Sequence, residues 1–253
     1  MNSKQTIIKI VKEIRFFFKK NKADKAIIGI SGGVDSAVTC KLCILALGKE
    51  KVIGVLMPEI GLTKQENIND ARDFCEKEEI KYLLQPINKM LISYQFNVPI
   101  NKLAYMNLKA RIRANILYSY ANTFSEKFDP KNTNNNKQKS NVQVLVVGTG
   151  NKTEAMMGYG TKYGDLACDL FVIGDLFKKE VYEIANYLKI PESIINKIPT
   201  AELYEGQTDE KEMGITYKEL DKQLMSGKLS KRIKERVLAN EHKRKYPHII
   251  KVH

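Results

Sequence analysis

The sequence predicts a doubly wound α/β fold: one domain over residues 1–253, with a mainly parallel five-stranded sheet and helices on both faces. Three observations predict it. Short, continuous apolar runs alternate with longer segments of helical period, as they do where a parallel sheet is buried between helices. The 253 residues are enough for one large domain with a substantial core. Two of the apolar runs end in small-residue turns that lead into a helix start, at 29–36 and 148–154. In such folds ligands gather at the carboxyl ends of the strands, where three candidate segments lie, 31–36, 58–62 and 148–154.

The elements follow in order. Ile7, Val11, Ile14 and Phe18 stand at helical spacing within 3–20 and open the chain with an amphipathic helix. A strand over 25–30 leads through a turn into a helix over 35–47. Val52 to Met57 is a second buried strand, stopped by Pro58. Thr63, with Glu66 three residues on, predicts a capping box that opens a helix running to Glu78. Ile80 to Leu84 is a third strand, ended by Pro86. A long helical pattern over 100–124 carries Leu103, Met106, Leu108, Ile112, Ile116, Leu117 and Tyr120. The tract 129–141 is polar and of low complexity, cannot bury a core, and reads as a surface insertion. Val142 to Val147 and a short Leu170 to Ile173 complete the strands. Helices are expected near 178–188, 191–197, 216–225 and 230–245. Between them, 201–214 has little apolar periodicity and two glycines, and reads as a mobile lid.

Composition narrows the function. Lys and Arg number 42 against 29 Asp and Glu, a net charge of +13 that suits anionic substrates such as nucleotides, and would also suit RNA. The four cysteines form no secreted disulfide framework in a chain this long. Cys40 and Cys43 make a C-x-x-C inside a predicted helix, with no second pair and no nearby His, so core packing is the better reading than zinc. No run approaches the ~20 apolar residues of a membrane span. Residues 1–20 are too charged for a signal peptide, and the expected location is the cytoplasm.

The chemistry concentrates in Ile27-Ile28-Gly29-Ile30-Ser31-Gly32-Gly33-Val34-Asp35-Ser36. A helix start offers unpaired N–H groups and a positive dipole end to an anion. Gly32 and Gly33 let a phosphate approach the backbone, and Ser31 and Ser36 add hydroxyl donors. Asp35 would repel a bare phosphate, which makes sense if Mg²⁺ sits between them. No Lys stands beside these glycines, so this is not the common G-x-x-x-x-G-K-[ST] loop. Gly148-Thr149-Gly150-Asn151-Lys152-Thr153-Glu154 repeats the logic, with Glu154 as a second metal carboxylate. Lys109, Arg111 and Arg113 are spaced two apart on a helix and cannot share one face tightly. Arg111 and Arg113 are candidates to flank an anion, although the spacing alone favours a solvated basic stripe. Gly160 to Asp165 and Asp169 form a polar, turn-rich stretch suited to a sugar or amide contact. Lys178 opens a helix, where a cation opposes the dipole and hints at a phosphate partner.

Ser-Gly-Gly-x-Asp-Ser after a strand resembles the pyrophosphatase-type loop of N-type ATP hydrolases, which cleave ATP between the α and β phosphates. The motifs Asn-Leu-Lys-Ala-Arg-Ile-Arg, Gly-Thr-Gly-Asn-Lys-Thr-Glu, Thr-Lys-Tyr-Gly-Asp, Pro-Thr-Ala-Glu-Leu, Gln-Thr-Asp-Glu and Glu-His-Lys-Arg follow in that order. Together they resemble the ammonia-dependent NAD⁺ synthetases over nearly the whole chain. The resemblance implies a Rossmann-like, adenine nucleotide alpha-hydrolase-like sheet. It implies ATP contacts at Gly29, Ile30, Ser31, Gly32, Gly33, Val34, Asp35, Ser36, Thr149, Lys178 and Thr200. It implies Mg²⁺ at Asp35 and Glu154, and catalytic roles for Asp35, Glu154 and Lys178. Deamido-NAD⁺ contacts are implied at Arg111, Lys162, Asp169, His242 and Lys243, in a homodimer whose interface uses the long helix. The implied reaction is adenylation of a nicotinate carboxylate followed by attack of ammonia. No glutaminase-like domain fits beside these motifs in 253 residues, so ammonium is the expected nitrogen source. A tRNA-modifying enzyme of the thiolase or lysidine type is the rival, supported by the charge but lacking a separate RNA-binding domain. A regulator that has lost catalysis is opposed by the intact Asp35 and Glu154.

Overall fold

The structure is a computed structural model that describes residues 1–125 and 142–252. The insertion expected at 129–141 lies outside the described residues. Five strands form one sheet, β1 (Ala23–Gly29), β2 (Val52–Leu56), β3 (Lys81–Leu84), β4 (Gln143–Gly148) and β5 (Leu170–Phe171), in the order β3-β2-β1-β4-β5. Every neighbouring pair is parallel. The chain steps outward from β1 to β3, then crosses back to β4, so strand order reverses between β1 and β4. The expected doubly wound sheet is present.

One face of the sheet is covered by α1 (Ser3–Lys20), α2 (Val34–Leu47), α7 (Lys178–Tyr187) and α8 (Glu192–Ile195), whose apolar sides share a core with Ile28, Leu56 and Val147. That core also holds Phe74 and Cys75 of α3 (Gln65–Lys77). The other face carries α4 (Asn88–Ser93) and α5 (Lys102–Ser125), with Leu91, Ile112 and Ile116 packed on Ile27, Val55 and Val146. A third cluster, centred on Met157, Met213 and Leu220, joins α6 (Lys152–Met157), α9 (Asp209–Met213), α10 (Tyr217–Ser226) and α11 (Lys231–Ala239). Among the described residues no helix is long and apolar enough to cross a membrane. Cys40, Cys43 and Cys75 are buried, as the core reading of the C-x-x-C expects.

Some local expectations fail for identifiable reasons. The capping box at Thr63 does not form: the helix starts after Lys64, and the Thr63 hydroxyl accepts from Glu59 N at 3.0 Å to close the preceding turn. The 191–197 helix contracts to the single turn of α8, and the 230–245 helix ends at Ala239, with a separate 3₁₀ turn at Glu241–Lys243. The fifth strand is two residues long because Gly174 follows closely and the chain turns away. The basic stripe on α5 is not solvated throughout. Lys109 is 4% exposed, pairs with Glu59 at 2.7 Å and donates to the Leu203 carbonyl at 2.9 Å.

Candidate active site

A cavity of about 790 Å³ opens at the carboxyl ends of β1, β2 and β4, the reversal point of the strand order. It is lined by residues 29–36 together with Thr149, Glu154, Lys178, Thr200 and Lys243. The whole of the expected nucleotide set therefore shares one cavity. Segments far apart in sequence meet here because β1 and β4 are neighbours in the sheet.

The first wall is the turn into α2. Gly33 is the N-cap of that helix and provides no side-chain cap, so the helix start stays open to an anion. Gly32 has φ +80°, and a Cβ there would stand 2.4 Å from the Asn67 carbonyl oxygen of α3. Only glycine fits both constraints. Ser36 Oγ donates to the Gly33 carbonyl at 2.9 Å, and Ser31 Oγ accepts from Gly33 N at 3.2 Å, which fixes the shape of the turn.

The second wall is the start of α6. Asn151 is fully buried and does two jobs. Its side-chain oxygen accepts from Glu154 N at 3.0 Å, while Glu154 accepts from Asn151 N, a reciprocal capping box. Its amide nitrogen donates to Asp35 Oδ1 at 2.9 Å and ties the two walls together. Sequence reasoning singled out Glu154 and passed over Asn151, although Asn before a helix was the visible signal.

Lys178, at the first position of α7, supplies the third element. Its ammonium pairs with Asp35 and lies 3.5 Å from Glu154 Oε1, with only 2% of the side chain exposed. The unfavourable helix position is compensated: Thr153 Oγ1 accepts from Lys178 N, and the buried Asp221 carboxylate accepts from Lys179 N. Lys178 was expected to face phosphate. In this structure it is the counter-ion of the two expected metal carboxylates. Burial and the adjacent Asp35 charge push the Glu154 carboxyl up to about 8, against the pull of Lys178. Burial alone would lower the Lys178 pKa, but Asp35 and Glu154 outweigh it and raise it.

Two tyrosines that the sequence did not single out, Tyr217 and Tyr159, brace this triad through Asp209. Tyr217 O–H lies 2.9 Å from Asp209 Oδ2 and 3.3 Å from Glu154 Oε1. Tyr159 O–H lies 2.9 Å from Asp209 Oδ1 and 2.7 Å from Glu212 Oε2. The segment 201–214, expected as a lid, contributes Ala201, Glu202, Leu203, Gln207, Asp209 and Glu212 to the cavity lining. Glu202 accepts from Asn67 Nδ2 at 2.6 Å and Leu203 is held by Lys109, while Asp209 and Met213 are buried.

The donor set fits Mg²⁺. Asp35 and Glu154 converge on one positive charge beside an anion-accepting turn, and Mg²⁺ is commonly held by one or two carboxylates together with substrate phosphates. No group of three His, Cys, Asp or Glu side chains able to hold a metal occurs among the described residues, so phosphate oxygens and water would complete the shell.

The expected dinucleotide residues are not gathered in the cavity, Lys243 excepted. Lys243 Nζ donates to the Gly158 and Gly160 carbonyls at 2.7 and 2.9 Å. Arg111 is exposed and donates to the Lys162 carbonyl at 3.4 Å. Asp169 accepts from Val146 N at 2.7 Å and from Tyr118 O–H at 3.2 Å. Arg111 and Tyr118 are seven residues apart on α5, so Arg111, Lys162 and Asp169 follow one outer face of that helix. His242 is exposed in the turn at Glu241–Lys243. Arg113, by contrast, lines the cavity with its Nε on the Met57 carbonyl at 3.0 Å.

The family model for NAD synthase matches residues 6–128 and 133–247. The chain belongs to the NAD synthase family. This places it among the ATP-using ligases of NAD biosynthesis, and the tRNA-modifying alternative is not favoured. It is 42% identical over 222 residues to the NH(3)-dependent NAD(+) synthetase of Methanocaldococcus jannaschii, covering 86% of this chain and 78% of that one. The structure is similar to NMN synthetase from Francisella tularensis, with a TM-score of 0.82, 29% identity and 99% of each chain covered. It is also similar to NH3-dependent NAD synthetase from Campylobacter jejuni in complex with the nitrate ion, with a TM-score of 0.76 and 31% identity. That likeness covers 99% of this chain and 100% of the other.

Proposed function

We propose that this NAD synthase amidates deamido-NAD⁺ to NAD⁺ with ammonia, at the expense of ATP and with Mg²⁺, in the cytoplasm and as a homodimer. The observation that carries the reading is the convergence of Asp35, Glu154 and Lys178 beside the open start of α2. A carboxylate is a poor acyl donor, so it must be activated. Its oxygen attacks the α-phosphorus, the bond to the bridging oxygen breaks, and pyrophosphate leaves with the electron pair. Ammonia then attacks the acyl carbon of the adenylate. The amide forms, AMP leaves, and one proton is released.

The chain's own groups serve the first step. The open N–H groups of α2 and the hydroxyls of Ser31 and Ser36 receive the phosphates. Asp35 and Glu154 would hold Mg²⁺, which supplies charge neutralisation on the phosphate oxygens. Lys178 keeps the two carboxylates together. The segment 201–214 excludes water from the adenylate, which would otherwise hydrolyse. The long helix α5 serves the dimer, and Arg111, Lys162, Asp169, His242 and Lys243 serve the dinucleotide.

One other substrate has specific support. The likeness to the Francisella tularensis NMN synthetase favours a mononucleotide acid in place of the dinucleotide. The test is direct. The protein is incubated with ATP, Mg²⁺ and ammonium, with either deamido-NAD⁺ or nicotinic acid mononucleotide, and the amide and AMP are measured. Preferential NAD⁺ formation supports the reading. Preferential amidation of the mononucleotide replaces it, and AMP formation that requires tRNA overturns it.

A further inference from the structure

The cavity contains a lysine that the expected site leaves out. Lys197 follows α8, and its Nζ stands 3.3 Å from the Gly32 carbonyl oxygen, in the turn that opens α2. It lines the cavity, with 22% of its side chain exposed. Asp70 of α3 pairs with it at 2.5 Å, and Ser193 Oγ donates to the other Asp70 oxygen at 2.9 Å. An ammonium has three protons. Asp70 and Gly32 accept two, and the third remains for a ligand.

The geometry points to Lys197 as a pyrophosphate-binding group, one that takes an oxygen of the β- or γ-phosphate of ATP. Its place beside Gly32 puts it at the anion-accepting turn. Unlike Lys197, the other cations of the cavity make their polar contacts away from the backbone of this turn. Lys178 is held between Asp35 and Glu154, and Lys243 by the Gly158 and Gly160 carbonyls. Arg113 donates to the Met57 carbonyl, and Arg236 to the carbonyls of Met157 and Met213. Asp35, Glu154 and Lys178 carry a net charge of −1 when ionised, so by themselves they do not neutralise a phosphate chain. The step that breaks the α–β bridge gathers charge on the departing pyrophosphate. A partly buried, pre-positioned ammonium stabilises that charge without having to be ordered first. Asp70 fixes its position and acts through it, as a positioning residue.

This inference rests on the ATP reading above, and its test separates the two. Affinities for ATP, AMP and inorganic pyrophosphate are measured calorimetrically with Mg²⁺ and without the second substrate. Lys197→Met weakens ATP and pyrophosphate by roughly ten- to a hundredfold, the worth of one charge-assisted contact. It leaves AMP within about twofold, because AMP lacks the phosphates concerned. Lys197→Arg recovers part of the loss. A merely structural role would weaken ATP and AMP in parallel, and that result overturns the assignment, as does unchanged ATP affinity. If Lys197→Met does not fold, Lys197→Gln, which keeps a donor for the Gly32 carbonyl, is judged by the same ratio. Wild-type protein that binds AMP and ATP equally, or neither, overturns the ATP reading itself.

Discussion

Lys178→Met tests whether the buried ammonium holds the Asp35 and Glu154 carboxylates in place. Lys178 is 2% exposed, and Asp35 and Glu154 are 20% and 18% exposed. Removing the cation leaves two carboxylates facing each other with little water. Breaking a buried ion pair from one side costs about 3–5 kcal/mol. Both carboxylates keep some solvent, and burial already favours the protonated form of Glu154, so the loss falls below the middle of that range, to about 2–3 kcal/mol. In a domain of this size 1 kcal/mol moves the midpoint by about 2–4 °C, so Tm should fall by roughly 4–12 °C. Mg²⁺ should restore part of the loss, because a divalent ion can replace the missing charge between Asp35 and Glu154. The wild type, whose ammonium already neutralises part of the carboxylate charge, should respond less to Mg²⁺ alone. Thermal unfolding of both proteins, with and without millimolar Mg²⁺, measures this. A fall in Tm below about 2 °C, or no extra response of the variant to Mg²⁺, would refute the counter-ion role and return Lys178 to a phosphate contact.

Three further outcomes follow from the same geometry. Asp35→Asn and Glu154→Gln should each abolish substrate-dependent pyrophosphate release while the circular dichroism stays native, since neither side chain packs in the core; near-normal release in either would remove it from the metal set. Arg111→Ala should raise the KM for deamido-NAD⁺ about ten- to a hundredfold, and that for ATP far less, since Arg111 lies on the outer face of α5 and away from the cavity; equal effects on both would refute a dinucleotide contact. Cleavage within 201–208 by a protease should slow when ATP and deamido-NAD⁺ are both bound, whereas Asp209–Met213, already packed in the third cluster, should be protected throughout; equal cleavage with and without substrates would sink the lid.

The sequence exposed those features that a local rule can see. Buried strands read as apolar runs, and Pro58, Pro86 and the glycines at 32, 33, 148 and 150 punctuated them. It misled where the partner is remote. Thr63 has the chemistry of a cap, yet its hydroxyl is taken by Glu59 N, a backbone donor on the other side. Lys109 reads as one of three solvated cations, and its burial depends on Glu59, fifty positions away, and on Leu203. The short α4 has too few residues to show a period. Tyr217 carries no motif of its own, and Asp209, although part of Gln-Thr-Asp-Glu, shows no partner in the sequence; the packing of α10 against α6 and α7 brings Tyr217 to Glu154, and Tyr217 in turn meets Asp209 of α9.

Sheet order explains why two similar turns make one site. Each of β1 and β4 ends in small residues and leads into a helix start, and each contributes one carboxylate. Had β4 been added beyond β3, Glu154 would lie three strands from Asp35, beyond the reach of a single ion. The return of the chain places β4 directly against β1, with Ile28 paired to Val147. Asn151 and Lys178 can then bridge the two turns, one through Asp35 alone and the other through both carboxylates. The pairing of Asp35 with Glu154 is therefore set by the neighbouring of β1 and β4 in the sheet and not by their separation along the chain.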